Sequence, residues 1–267
     1  MELFNLKNKT AIVTGALGLI GREHCKALNE AGANVVVADI DELKCIEFAE
    51  NLSTDSIGIS LDVTNPESIK RLRDKALRKF GHIDVLVNNA AINDMFENPK
   101  AASEQSKFEN YPLELWQKSV DVNLTGVFLC SQILGTLMSK QKSGSIINIA
   151  STYGITAPDQ SLYIKEDGTQ SFYKPPAYSA TKGAVIMFTK YLAAYWGKDG
   201  VRVNTLTPGG VENSQDQFFI DKYSSKTMLG RMAQPTDYKG ALIFLASDAS
   251  SYMTGANLII DGGWTAW

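Results

Sequence analysis

The sequence is poor in residues that staple or ligate. It holds three cysteines, Cys25, Cys45 and Cys130, and two histidines, His24 and His82. None has the spacing of a CxxC pair or a metal-ligand set, and the adjacent His24 and Cys25 would face different ways on a helix. No metal site and no disulfide framework is expected, and the cysteines read as small buried residues of a reducing compartment. An excess of charge is also missing: 26 Lys and Arg against 29 Asp and Glu give a formal net charge of −3. That balance draws the chain neither to nucleic acid nor to an anionic membrane. No stretch approaches the ~18 apolar residues of a membrane span, and the segment after Met1 has no signal-peptide core. The expectation is a soluble, cytoplasmic protein with no nucleic-acid or membrane partner. Repeats and Ser/Gly-rich linkers are absent too, so residues 1–267 are expected to form one domain. A chain of this length buries roughly 70–75% of its unfolded surface and needs no staple.

What the sequence does have is a rhythm of short apolar runs followed by amphipathic segments. Strands are predicted at Thr10–Thr14, Asn34–Asp39, Ser56–Asp62, Ile83–Asn89, Ser145–Ser151, Val201–Thr207 and Asn257–Asp261. Several are too uniformly apolar or β-branched to be wet on one face, which is the pattern of a parallel sheet covered on both sides. Between them, Pro66–Phe80 reads as a helix, with Thr64 or Asn65 as its cap and Gly81 as its stop. Its Leu72, Ala76 and Phe80 recur at four-residue spacing on one face. Such alternation predicts an α/β fold: a doubly wound, Rossmann-type parallel sheet of about seven strands with helices on both faces. Residues 93–112 and 154–177 break the rhythm. Both follow carboxyl ends of predicted strands, where open α/β sheets bind ligands, and long loops there are usually functional lids or else disordered.

Three constellations carry chemistry. Directly after the first strand comes Thr14-Gly-Ala-Leu-Gly-Leu-Ile-Gly21, with glycines at 15, 18 and 21. A glycine turn lets backbone approach a pyrophosphate, and the following helix offers its N-terminal N–H groups. Asp39 ends the second strand, 24 residues after Gly15. An acid there hydrogen-bonds both hydroxyls of an adenosine ribose. With Asp41 and Glu42 beside it and no cation in sequence before Lys44, a 2′-phosphate would meet like charge, which favours NAD over NADP. The competing reading is a strand-terminal Asp that caps the next helix. The third constellation is Tyr178 and Lys182 at i and i+4 on one helix face. A free tyrosine has a pKa of about 10, and lowering it by about three units takes roughly 4 kcal/mol. A lysine ammonium a few ångströms away in a partly dry site supplies energy of that order. In isolation such a pair is more often structural.

Taken together, the sequence resembles the short-chain dehydrogenases/reductases over nearly its whole length. The resemblance is carried by the glycine turn, Asp39, Leu61-Asp62-Val63, Asn88-Asn89-Ala90, Val122-Asn123, Ser151 after Ile-Asn-Ile-Ala, Tyr178/Lys182, Pro208-Gly209 and Asp261-Gly262-Gly263. It implies hydride transfer between nicotinamide and a secondary alcohol or ketone. Tyr178 would be the general acid/base, and Lys182 would lower its pKa and bind the nicotinamide ribose. Ser151 would hydrogen-bond the substrate oxygen, and Asn123 would hold a water in the proton relay. It further implies cofactor contacts at Gly15, Leu17, Gly18, Leu19, Ile20 and Gly21, at Asp39, Ile40, Asp62 and Val63, and at Asn89, Ala90, Ala91, Pro208, Gly209 and Val211. Four features depart from the family pattern. Leu19 stands where the usual Gly-x-x-x-Gly-x-Gly turn has glycine, Ala91 where Asn-Asn-Ala-Gly has glycine, and Asn213 where a threonine often follows Pro-Gly. The 27 residues from Ser151 to Tyr178 are also longer than usual.

Loops 93–112, 154–177 and 212–235 should wall the substrate. Their Asp159, Gln160, Tyr163, Lys165, Tyr173, Lys174, Glu212, Gln215 and Gln217 suit a hydroxyl-rich small molecule better than a steroid or acyl chain. The overall sequence is also similar to family members of surface-carbohydrate biosynthesis, implying a sugar or sugar derivative. A non-sugar polyol, a hydroxy acid or keto compound, and a non-catalytic dinucleotide binder stay open. A methyltransferase, which also uses a glycine turn, would have no use for Tyr178 and Lys182. Met187, Phe188, Tyr191, Tyr195 and Trp196 on one helix predict a homo-oligomer, a dimer or the tetramer implied by the family.

Overall fold

The computed structural model describes residues 2–93 and 102–267. Seven parallel strands form one sheet: β1 (Thr10–Thr14), β2 (Asn34–Asp39), β3 (Ile57–Ser60), β4 (Val85–Asn88), β5 (Gly144–Ile149), β6 (Val201–Pro208) and β7 (Asn257–Ile260). Their order across the sheet is β3-β2-β1-β4-β5-β6-β7, so the doubly wound expectation is met. In the central register Ile12 lies between Val36 and Leu86. All five residues of β1 are buried, which explains why the run lacks alternation: helices cover it on both sides. Some predicted strand ends fall outside the ladder. Leu61-Asp62, Asn89 and Ala150-Ser151 leave it to build the turns at the carboxyl edge.

The longer helices among the described residues are α1 (Leu19–Glu30), α2 (Glu42–Glu50), α3 (Pro66–Phe80), α4 (Leu113–Gln141), α5 (Pro176–Trp196), α6 (Gln217–Ser224) and α7 (Lys239–Ala246). On one face α1, α2 and α7 bury Val13, Leu28, Val37, Cys45 and Leu245. On the other, α3, α4 and α5 bury Ile12, Leu72, Leu134, Met138, Ile146 and Trp196. Helix α3 starts where its sequence says. Asn65 accepts the N–H groups of Glu67 and Ser68, Pro66 opens the first turn, and Gly81 stops the helix at φ 81°. Helix α4 has the length and hydropathy of a membrane span, against the expectation that no such segment exists. It lies in the helical layer between α3 and α5, with its most apolar stretch 44% buried. The three cysteines are buried and free.

The expectation for the apolar run of α5 needs correction. The helix begins two residues before Tyr178, and the apolar run along it is not all exposed. Met187, Tyr191 and Tyr195 face outward, Phe188 is half-buried, and Trp196 is buried. A Cβ on Gly135 of α4 would sit 2.5 Å from the Trp196 ring, so the indole fills the space that this glycine leaves.

Winding out from β1 to β3 and returning at β4 opens a crevice beyond the carboxyl ends of β1 and β4. The glycine turn and Asn89 emerge there.

Candidate active site

The crevice begins with the backbone. Gly15 has φ 61°, a left-handed conformation, and a Cβ there would lie 2.7 Å from Ala90 Cα. A Cβ on Gly21 would strike the Gly15 carbonyl oxygen. Asn89 clamps the turn, its Nδ2 donating to the carbonyls of Thr14 (3.0 Å) and Gly15 (2.9 Å). Thr14 Oγ1 accepts the N–H groups of Asn89 and Ala90, both at 3.0 Å. Gly18 caps α1 and offers no side-chain acceptor. The N–H groups of that helix start therefore face the crevice, an arrangement suited to an anion. Leu19 at the first helical position is 40% exposed, so its departure from glycine costs no packing.

Asp39 braces the same turn. Its Oδ2 accepts the Leu17 N–H (2.9 Å) and its Oδ1 accepts the Ile40 N–H (2.7 Å). Asp41, not Asp39, caps α2, accepting the Lys44 N–H. Each Asp39 oxygen retains acceptor capacity toward ribose hydroxyls. A cation missed in the sequence stands on the other side of Leu17: Arg22 Nε donates to the Leu17 carbonyl at 3.0 Å, and its guanidinium lies over the Phe48 ring. Its position is one residue past Gly21 in the sequence, so only folding shows that it turns back onto the loop. Lys44 is paired with Asp41 at 2.8 Å.

The glycine turn, Asp39 and Asn89 border a cleft of about 530 Å³. Of the predicted cofactor residues, Gly15, Gly18, Leu19, Ile20, Gly21, Asp39, Ile40, Asp62, Val63, Asn89, Ala90, Ala91 and Val211 line it. Leu17 does not, contributing only its backbone to the turn. Leu61, Ile92, Asn93 and Val122 line it without having been expected as contacts. The open helix start, the glycine cradle and the acid at the strand end fit a nicotinamide dinucleotide.

A second cleft of about 200 Å³ adjoins the first, and Ile20, Asn93 and Val211 border both. Ser151, Tyr178, Pro208 and Gly209 line it. Ser151 leaves the end of β5, its hydroxyl accepting the Tyr153 N–H at 3.2 Å, and lines this cleft together with Tyr178. Tyr178 does not show the acidity expected of it. Burial pushes its phenol above the usual range, with the nearby Ser151 hydroxyl opposing. Lys182 does share the helix face, yet its Nζ donates to the Ile149 carbonyl at 2.8 Å and lies 5.8 Å from the Tyr178 ring centre. Burial pushes Lys182 down to about 8. Asn123 is buried behind the first cleft's Ile92, in a π-helical turn of α4. Its amide engages both backbone groups of one residue, accepting from Ile92 N (2.8 Å) and donating to Ile92 O (3.0 Å). The side chain thus fixes the strap after β4. The Asn213 N–H is taken by Gln215 Oε1 at 2.6 Å.

The loop residues divide. Tyr163, Lys174 and Gln215 line the second cleft, with Tyr153, Phe219, Tyr223 and Met232. Asp159 pairs with Lys226 at 2.5 Å, Glu212 accepts from Gln234, and Gln217 bonds Asp221. The 154–177 loop is built, not slack. Ile164 bridges Gln170, Leu162 and Tyr163 are buried, and Tyr163 packs on Phe172 with 4.5 Å between ring centres. In the 93–112 loop, residues 94–101 lie outside the described residues.

An open parallel sheet with a glycine turn at its switch point and a Ser–Tyr pair in the adjoining cleft defines a nicotinamide-dependent oxidoreductase. Residues 15–265 match the family model described as enoyl-(acyl carrier protein) reductase. The chain is 36% identical to the 3-alpha-(or 20-beta)-hydroxysteroid dehydrogenase of Mycobacterium tuberculosis (strain ATCC 25618 / H37Rv), over 98% of this chain and 91% of that protein. It is 34% identical to the 2-dehydro-3-deoxy-D-gluconate 5-dehydrogenase of Bacillus subtilis (strain 168), over 98% and 97%. A gluconate 5-dehydrogenase from Burkholderia cenocepacia J2315, solved with NADP and tartrate, superposes with a TM-score of 0.84 at 30% identity, covering 99% of this chain and 98% of that one. The chain belongs to the short-chain dehydrogenase/reductase family.

Proposed function

We propose that the chain is an NAD-dependent dehydrogenase/reductase of a small, polyhydroxylated secondary alcohol or ketone, a sugar or sugar derivative. The observation that carries this is the Ser151–Tyr178 pair in a small cleft continuous with the glycine-turn crevice. The surface-carbohydrate setting implied by the sequence resemblance belongs to the same proposal.

Bound nicotinamide dinucleotide supplies the hydride acceptor or donor. The Ser151 hydroxyl orients the substrate oxygen, and the Tyr178 phenol exchanges the proton with it. A tyrosine held neutral by burial is ready to donate toward a ketone. In the oxidative direction Tyr178 must ionise, and charge brought beside it lowers that cost. Lys182 would meet the nicotinamide ribose from behind, and Asn123 holds the Ile92 strap against the crevice. Asp39 would accept from the adenosine ribose hydroxyls, the basis for proposing NAD; Arg22 is the group that a 2′-phosphate would have to recruit. The second cleft, at about 200 Å³, is below the ~300–1,000 Å³ of sites for drug-sized ligands. Its tyrosines and Gln215 suit hydroxyl groups better than a steroid skeleton. We propose further that the enzyme works in the cytoplasm as a homo-oligomer formed through the outward face of α5.

The test is dinucleotide reduction followed at 340 nm against sugars, polyols and hydroxy acids. Turnover is expected, falling by two orders of magnitude or more in Tyr178→Phe while NADH binding persists. A variant with near-normal turnover would remove Tyr178 from the chemistry. A protein that binds NADH and oxidises none of these compounds would be a binder only.

A further inference from the structure

The substrate cleft holds two phenols that the proton exchange does not use. Tyr153 lies two residues after Ser151, and Tyr163 comes from the 154–177 loop. Each is only 8% exposed, and both border the cleft beside Ser151 and Tyr178. Their hydroxyl oxygens are 3.0 Å apart and share a hydrogen bond. Two phenols carry two O–H protons, and that bond uses one. Whichever phenol donates, the proton of the other meets no acceptor among the described residues. Buried tyrosine hydroxyls usually find a partner, and a buried donor left unused is costly. Burial pushes both phenols above their usual range, so the protons stay in place. The pair is also held still. The Tyr163 ring packs against Phe172 and Phe219, with ring centres 4.5 and 5.8 Å away. Gln170 Nε2 donates to the Gln160 and Phe172 carbonyls at 3.1 and 2.7 Å. Gln160 Oε1 in turn accepts the N–H of the buried Lys174 at 2.8 Å. Tyr153 is fixed through its N–H on the Ser151 hydroxyl.

We propose that the Tyr153–Tyr163 pair determines specificity: it grips a second hydroxyl of the substrate while the reacting oxygen lies at Ser151 and Tyr178. The pair offers a spare proton and spare lone pairs, so its complement both accepts and donates. A hydroxyl group does both, whereas a ketone or carboxylate oxygen only accepts. The inference rests on the hydride-transfer reading of this cleft and names the part of the substrate that reading leaves open. At about 200 Å³ the cleft keeps the second hydroxyl close to the reacting carbon. The class selected is therefore the vicinal diol or hydroxyketone, the unit repeated along a sugar. An analogue lacking that hydroxyl would leave the buried pair facing an alkyl group, and sites built on such hydrogen bonds reject such analogues.

The first experiment measures dissociation constants by ligand-observed NMR on the protein saturated with NADH, to which alcohols bind without reacting. Propylene glycol is the hydroxyl probe, isopropanol its counterpart without the second hydroxyl, and lactate the carboxylate probe on the same carbon skeleton. Propylene glycol is expected to bind at least tenfold more tightly than either of the others. The double variant Tyr153→Phe/Tyr163→Phe keeps both rings and should bring propylene glycol and isopropanol within threefold of each other. In parallel, the kcat/KM ratio for NADH-dependent reduction of hydroxyacetone over acetone should fall at least tenfold from wild type to double variant, through the KM for hydroxyacetone. Equal wild-type binding of propylene glycol and isopropanol, or preferential binding of lactate, overturns the proposal, and this comparison stands even where the double variant fails to fold. A double variant that keeps the wild-type ratios also overturns it, because the phenols would then serve only the packing of the loop. Selective binding of propylene glycol without turnover of any alcohol or ketone supports the hydroxyl site and removes the hydride-transfer reading. Turnover without such selectivity retains that reading and removes the pair from recognition.

Discussion

Asp39 shows how one side chain serves both architecture and recognition. Its carboxylate grips the Leu17 and Ile40 N–H groups, so the acid proposed to meet the ribose also holds the glycine turn in place. Arg22 grips the carbonyl of the same Leu17. Removing the acid therefore does two things at once. Asp39→Ala should weaken NAD binding, because acceptors and turn support are lost together. It should also shift the NAD/NADP preference toward NADP, since the Arg22 guanidinium on the same turn is then no longer opposed by the Asp39 carboxylate. Fluorescence titration with NADH and NADPH measures both effects, and an unchanged ratio would free Asp39 from cofactor choice. Arg22→Ala in the same background should withdraw the gain for NADPH.

Elements differ in how openly the sequence announces them. The strands and α3 were legible because their causes are local: continuous apolar runs, an Asn cap, a proline at the first turn and a left-handed glycine stop. The glycine turn, Asp39, Ser151 and Tyr178 were legible as spacings. The π-turns of α4 were not, for no residue pattern marks the extra residue that turns Asn123 onto Ile92. The character of Lys174 was hidden too. In sequence it is one polar loop residue among several, and its burial depends on a glutamine fourteen residues earlier reaching across the loop. The spacing of Tyr178 to Lys182 fixes a helix face and not the direction of the ammonium, which donates to the Ile149 carbonyl. The loop thus works as a jig for the cleft, and Gln160 is its pin. Losing the pin costs about 1 kcal/mol of positioning, which converts to roughly a fivefold loss of affinity. Gln160→Ala should therefore raise the substrate KM about fivefold, with kcat and NADH affinity little changed. Initial-rate kinetics and NADH titration separate these, and a matching loss of NADH affinity would reassign the loop to the cofactor.

At the scale of the whole molecule, α5 joins the chemistry to a surface. Its first turns carry Tyr178 and Lys182, and its second half presents Met187, Tyr191 and Tyr195, each more than 60% exposed. Phe188, Tyr191 and Tyr195 stack in a row with ring centres 6.3 and 6.1 Å apart, and Phe128 of α4 lies 6.2 Å from Phe188. An exposed apolar stripe of this kind across two neighbouring helices suits an isologous interface with a second copy. Packing a second copy there would stiffen the helix that positions the proton pair, so assembly and activity should be coupled. Carboxylates placed in such an interface would be desolvated without partners. The double variant Tyr191→Glu/Tyr195→Glu should then elute as a smaller species than the wild type in size exclusion with light scattering, while its circular dichroism stays native because both side chains are at the surface. Its turnover should fall with its mass, and wild-type turnover per subunit should decline on dilution through the same transition. A wild-type protein that is monomeric and fully active at every concentration would leave the stripe without this role.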